Sequence, residues 1–265
     1  MLENSISIPK AFEEFRTIIE DTIRPVIQID TTEKETTLFE SKFAGNPYFP
    51  KQMEYPKSDS GTPLTLLAQI NFAEVPAHIP NLPEKGILQF YLDAHDDLIG
   101  MDFDNGKNQN GFRVIYHENI LEDESELIQD FSFVSSPDDE MFFPVEKEMK
   151  LSFDVDSEAL TTSDYRREEK YAPIFEFIEE KEDLEDLFYD SFAGTGHKIG
   201  GYPFFTQEDP RTYGDYTDAD ILLLQVDSIG EHILWGDSGV GNFFISKKDL
   251  ENKDFSKVLY NWDCY

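Results

Sequence analysis

The chain has 265 residues, between one large domain and two small ones at roughly 150 residues per domain, and enough to bury a sizeable core. Its 55 Asp and Glu against 22 Lys and Arg give a formal charge of −33, which repels phosphate backbones and anionic bilayers and excludes nucleic acid and membrane surfaces as expected partners. The 23 Phe, 12 Tyr and 2 Trp exclude an acidic disordered chain.

Taken in chain order, Phe12, Phe15, Ile18, Ile19 and Ile23 recur at helical spacing and predict an amphipathic helix over 10–23, closed by Pro25. The period then changes: 26–30 and 36–43 are β-rich, followed by a Gly45-Asn46-Pro47 turn. Further strands are predicted at 64–72, 86–93, 112–118, 149–156, 221–228, 241–246 and 258–262, separated by Gly, Pro, Asn and Asp clusters that suit an antiparallel sheet. Between 161 and 192 the pattern is helical again, with Leu184, Leu187 and Phe188 on one face and Gly194 at the exit. Ser246 and Asp249 have the spacing of a capping box for a short helix over 247–252. Strands and helices without strict alternation predict an α+β fold, mostly antiparallel sheet with a few helices.

The strongest pattern is an internal repeat. A shift of 156 positions lays Lys42, Gly45, Pro47 and Phe49 on Lys198, Gly201, Pro203 and Phe205, and Leu66, Leu67 and Gln69 on Leu222, Leu223 and Gln225. These seven identities span about thirty columns, where roughly two are expected by chance. The expectation is a single domain over 1–265 that duplicates two similar halves, roughly 26–120 and 170–262, packed pseudo-symmetrically. Each half would have a glycine-proline turn that delivers an aromatic to the core, then a buried strand carrying one amide. Gln69 and Gln225 either hydrogen-bond a neighbouring strand or loop, since an unpaired buried amide costs about 1–3 kcal/mol, or face a cleft shared by the halves.

The segments Leu66-Leu67-Ala68-Gln69-Ile70-Asn71 and Leu222-Leu223-Leu224-Gln225-Val226-Asp227, with Trp235-Gly236-Asp237-Ser238-Gly239 and Asn242-Phe243-Phe244-Ile245, resemble the YwqG-like family of bacterial proteins of unknown function. The resemblance runs over nearly the whole chain. It implies a cytosolic, duplicated α+β fold and carries no catalytic residue.

No motif fixes a reaction. Trp235, Asp237 and Ser238 form either a tight turn or a ligand or partner contact, and the missing glycine two positions before Ser238 excludes a nucleophile elbow. Asp102-Phe103-Asp104-Asn105-Gly106 starts like a calcium loop but has Arg113 where the ligating glutamate belongs, so it reads as a turn. His95 lies beside Asp93, Asp96 and Asp97, a setting that serves a base or simply an exposed acidic turn, and His78, His95, His117, His197 and His232 include no pair at metal-binding helical spacing. Gly194 to Gly201 lacks the Lys-Ser/Thr of a phosphate loop and reads as a helix exit and turn. The acidic runs at 121–126, 138–140 and 179–183 read as solvated faces.

The sole cysteine, Cys264, excludes an internal disulfide framework and a Cys-based zinc site, and no basic leader or apolar stretch of about 18 residues is present, so a cytoplasmic protein is expected. The expected function is non-enzymatic protein binding, regulatory or immunity-type, through an acidic surface that selects a basic partner, with no cofactor or metal. The alternative is an enzyme or small-ligand receptor in a cleft between the repeats. The charge is regional: residues 91–240 carry −28, and the last 25 residues are neutral.

Overall fold

A computed structural model describes residues 6–76, 79–134, 142–212 and 216–265. A 3₁₀ segment, Lys10–Phe15, runs into helix α1, Arg16–Glu20. The expected single helix over 10–23 is therefore shorter and tighter. Pro9 offers no capping side chain to the first N–H groups, and the residue before Pro25 cannot remain helical.

The sheet strands are β1 (Arg24–Glu33), β2 (Lys42–Phe43), β3 (Thr65–Asn71), β4 (Ile87–Leu92), β5 (Phe112–His117), β6 (Met149–Glu158), β7 (His197–Gly200), β8 (Ile221–Asp227), β9 (Val240–Ile245) and β10 (Leu259–Asp263). Between β6 and β7 lie helices α2 (Arg167–Lys170), α3 (Ala172–Ile178) and α4 (Glu182–Ser191), and α5 (Lys247–Glu251) follows β9. Ser246 caps α5 as its spacing predicts: Oγ accepts from the Asp249 N–H at 3.1 Å and donates to Asp249 Oδ2 at 2.7 Å.

All ten strands join one antiparallel sheet in the order β10-β9-β8-β7-β1-β6-β2-β3-β4-β5. At its centre β1 and β6 pair from Arg24↔Glu158 to Glu33↔Met149. On one flank β6 carries β2 to β5, and on the other β1 carries β7 to β10. The β3–β4 register slips between Leu66 and Ala68, and the β8–β9 register slips between Leu222 and Leu224. Such bulges sharpen twist, and the sheet curls until its wings face each other. Phe90 of β4 lies 4.9 Å from Phe243 of β9, and Phe112 of β5 lies 5.1 Å from Tyr260 of β10, ring centre to ring centre. Ile27, Ile29, Leu67, Leu223 and Trp235 complete this core.

Two sequence expectations are corrected. Only Lys42 and Phe43 of the β-rich 36–43 enter the sheet, because the carbonyls of Thr37, Leu38 and Glu40 accept from the Lys42 and Gln69 side chains instead of from a strand. The helix exit and turn expected over 194–201 contains strand β7. Gly194 and Gly196, at φ +75° and +105°, lead out of α4 before the strand, and Gly200 and Gly201, at +76° and +62°, turn the chain after it.

The helices cover a second core centred on Phe188, whose ring meets Phe12, Tyr171 and Phe192 at 5.2, 5.3 and 4.9 Å. A buried ionic lattice ties this layer to the loops beside β8. Arg211 donates to Asp209 from Nε at 2.9 Å and Nη2 at 2.6 Å, and from Nη2 to Asp164 at 2.9 Å. Arg166 grips both oxygens of Asp164 at 2.7 and 2.6 Å and also donates to Asp220. Burial alone would raise the Asp164 carboxyl, yet Arg166 and Arg211 hold it below the ordinary aspartate value. Among the described residues no helix is long and apolar enough to cross a membrane.

Removing one member of a buried ionic set strands the rest without compensation. Arg211→Ala should lower unfolding stability by about 3–5 kcal/mol in urea titration, whereas Arg16→Ala, whose partners Glu13 and Glu20 are exposed, should cost under about 1 kcal/mol.

Candidate functional site

The residues of the repeat build the same arrangement twice. Gln69 Oε1 accepts from Tyr48 N at 2.8 Å while Nε2 donates to Leu38 O and Glu40 O, each at 2.9 Å. Gln225 Oε1 accepts from Phe204 N at 2.8 Å while Nε2 donates to Gly194 O at 3.0 Å and Gly196 O at 2.8 Å. Every partner pair is related by the same 156-residue shift. Lys42 pairs with Gln69 across β2–β3, and Lys198 with Gln225 across β7–β8. Each glutamine is fully buried and closes a loop of its own half, with both amide N–H groups and the oxygen committed.

The two lysines are fully buried as well. Lys42 Nζ donates to Thr37 O at 2.6 Å and Asn46 O at 2.9 Å, with Glu148 at 3.8 Å. Lys198 Nζ meets Glu158 at 2.6 Å. Burial brings Lys42 down to about 8 and also lowers Lys198, and the neighbouring glutamates oppose both shifts. Each glutamate lies on a glycine of the motif: a Cβ at Gly45 would fall 2.6 Å from the Glu148 carboxyl carbon, and one at Gly201 2.3 Å from Glu158 Oε2.

The halves diverge one strand further out. Gln89 Nε2 donates to Tyr48 O at 2.7 Å, and its Oε1 takes Tyr91 OH and His117 Nε2, each at 2.9 Å. On the other wing Asn242 Nδ2 donates to Phe204 O at 2.8 Å, but its buried Oδ1 has no partner among the described residues. His197 Nδ1 accepts from Asp227 N at 3.0 Å. Burial pushes both His117 and His197 down to about 4.

Trp235 is buried with its ring against Gly241, where a Cβ would fall 2.4 Å from Trp235 Cζ2. Its backbone N–H donates to Ser228 Oγ at 2.9 Å and its carbonyl accepts from Gly239 N at 2.7 Å. Asp237 and Ser238 stand exposed at the tip of this turn, Ser238 at φ +70°. His95 is half-buried after β4, its N–H donating to Asp93 Oδ1 at 3.1 Å, and its imidazole makes no hydrogen bond or ion pair among the described residues. The glutamines thus point into their own halves, and Trp235 anchors a separate turn. Asp102 Oδ1 accepts from the Asp104 and Asn105 N–H groups at 2.9 and 3.0 Å, the turn its sequence suggests. Among the described residues no cluster of three or more His, Cys, Asp or Glu could hold a metal ion. His78 and the run 138–140 lie outside the described residues.

Two features escaped sequence reading. Arg24, Arg166, Arg167 and Arg211, four of the six arginines, gather where the helices meet the sheet, Arg24 lying 4.5 Å over Tyr202. The recurring Asp-x-Arg spacing at Asp164/Arg166 and Asp209/Arg211 was the available signal. The second is an acidic helical layer: residues 168–190 contain ten Asp and Glu against two Lys, and all ten carboxylate residues are exposed. On α4, Glu182, Asp183 and Glu185 occupy the first turn, where the helix dipole favours them, and Leu187 (38 %) and Tyr189 (37 %) are exposed among them.

The histidines give a test of this reading. An imidazole with a folded value near 4 against about 6.5 unfolded stabilises the fold fully above pH 6.5 and loses that contribution as pH falls toward 4, up to about 3 kcal/mol each. The urea midpoint should therefore fall between about pH 6.5 and 5, above the main carboxylate range. His197→Asn, which keeps an acceptor for the Asp227 N–H, should roughly halve that slope; an unchanged slope would show that His197 is not held neutral.

No curated protein matches the chain. The profile of a domain of unknown function, DUF1963, matches residues 41–264, from the serine before β2 to the residue after β10. Covering both buried glutamines, the tryptophan turn and the helical layer, that match makes the chain a member of the DUF1963 family.

Proposed function

We propose that this protein is a non-enzymatic, cytoplasmic protein-binding module that captures a basic partner on the acidic layer of α2 to α4, in a regulatory or immunity-type role. The observation that carries this reading is α4: four exposed carboxylates at Glu182, Asp183, Glu185 and Asp186 lead into Leu187 and Tyr189. A charged rim of that kind speeds encounter with a cationic surface, and an exposed aromatic and leucine supply apolar contact. The amides of Gln69 and Gln225 are committed to loop carbonyls, which favours the acidic layer over a receptor or enzyme site built on those glutamines. We also propose that the twofold glutamine and lysine arrangement descends from an internal duplication, and that the chain is YwqG-like within its family.

Affinity capture from native lysate at physiological salt, repeated at about 0.5 M, is the test. The expected outcome is a basic protein retained at low salt, released at high salt and lost from the Glu182→Gln, Asp183→Asn, Glu185→Gln, Asp186→Asn variant. A partner held equally by that variant, or no partner at either salt concentration, would sink the proposal.

A further inference from the structure

The two wings of the curled sheet meet at a seam. There the free edge of β5 faces the turn over 253–256 that leads into β10, and a groove of about 350 Å³ opens between them. Gln109, Arg113, Tyr116, Lys253, Phe255 and Ser256 line it with Val114 and Ile115. In a chain of charge −33, no Asp or Glu is among these residues, whereas two are cationic.

Arg113 is the unusual member. Alone among the six arginines it has no carboxylate partner among the described residues. Among the described residues it donates from Nη2 to Gln109 O at 3.1 Å, and its buried Nε–H meets no acceptor there. Two carboxylates border the groove, each already paired with a lysine: Glu118 with Lys253 of the lining, and Asp254 with Lys257 at 3.2 Å. Beside the guanidinium lies an apolar wall: the Tyr116 and Phe255 rings are 5.4 Å apart, and Lys253 Nζ stands 5.8 Å from the Tyr116 ring centre.

The occupant is not a further strand. Gln109 covers the middle of the β5 edge, accepting the Val114 N–H at 2.9 Å and donating to Phe255 O at 2.6 Å, so the backbone group an added strand would pair with is already taken. We propose that the seam groove binds a small organic anion, a carboxylate on an aromatic or apolar body. Its oxygens would meet the terminal N–H groups of the Arg113 guanidinium, Nε being buried, and its body would rest on the Tyr116–Phe255 wall. Because the lining comes from both wings, the ligand would bridge them.

Sodium benzoate is the probe, benzamide the uncharged control and inorganic phosphate the anion without a body, each followed through the Arg113 Nε–H and β5 amide signals in ¹H–¹⁵N spectra at physiological salt. The expected result is a saturable shift with benzoate only, weakened about tenfold or more in Arg113→Met. Replacing an unpaired buried donor by an apolar side chain should leave the urea midpoint close to wild type, and Lys253→Met, on the exposed side, gives a second variant whose loss of affinity must not depend on folding. Equal shifts with benzamide, binding unchanged in Arg113→Met, or no saturation would overturn the proposal. Phosphate binding as tightly as benzoate would overturn the part assigned to the aromatic wall.

Discussion

The ladder between β1 and β6 is the constraint on which the rest hangs. Its ten residue pairs join two strands separated by more than a hundred residues, and each outer wing attaches to one of them, β2 to β6 and β7 to β1. With the centre pinned in this way, one face of each wing is buried against the other wing, while the opposite faces pack on their own loops, Leu66 and Tyr91 with Phe49 and Tyr55, and Leu222 and Phe244 with Phe205. The bulges after Leu66 and Leu222 supply the curvature, and Phe90 on Phe243 is the result. Closure at the seam, where Tyr260 N donates to Gly106 O at 2.9 Å, follows from that curl.

The shortage of cations shapes the electrostatics. With only 22 Lys and Arg available, several are drawn inside: Lys42 and Lys198 fill the loop clasps, and Arg166 and Arg211 hold Asp164, Asp209 and Asp220 together at the junction of helices and sheet. A buried cation needs a fixed acceptor set, which the motif provides through loop carbonyls and one glutamate per lysine. Cations used in this way cannot neutralise the outside, and in the helical layer only Glu168 and Glu169 have an ion-pair partner among the described residues, Arg167 and Lys170. The unpaired Arg113 at the seam is conspicuous against that background.

Much of the architecture was legible in the residues. Apolar, β-rich runs bounded by Gly, Pro, Asn and Asp located most strands within two residues, and β3, β4, β8 and β9 are such runs because both their faces are buried. The shift relating Gln69 to Gln225 predicted two loops fastened alike, because a buried amide must find partners wherever it is placed. The charge tally placed the acidic excess only within 91–240, too coarse to single out the layer over 168–190. Less legible were short elements whose backbone partners are side chains. Residues 36–41 have β composition but surrender their carbonyls to Lys42 and Gln69, and β7 hides in a glycine-rich run because its four residues gain strand geometry from β1.

Sequence by itself determined the local periods, the duplicated Lys-x-x-Gly-x-Pro-x-Phe and Leu-Leu-x-Gln pattern, and the regional charge, all of which depend on neighbours along the chain. Only the tertiary structure decided which groups are left without partners. Gln89 and Asn242 occupy corresponding places, yet one is satisfied by His117 and Tyr91 and the other keeps a bare oxygen. Five arginines found carboxylates, while Arg113 was carried to the seam beside residues distant in sequence. Partnership of a buried polar group is a property of every chain segment that reaches it, so it is settled only when the sheet closes.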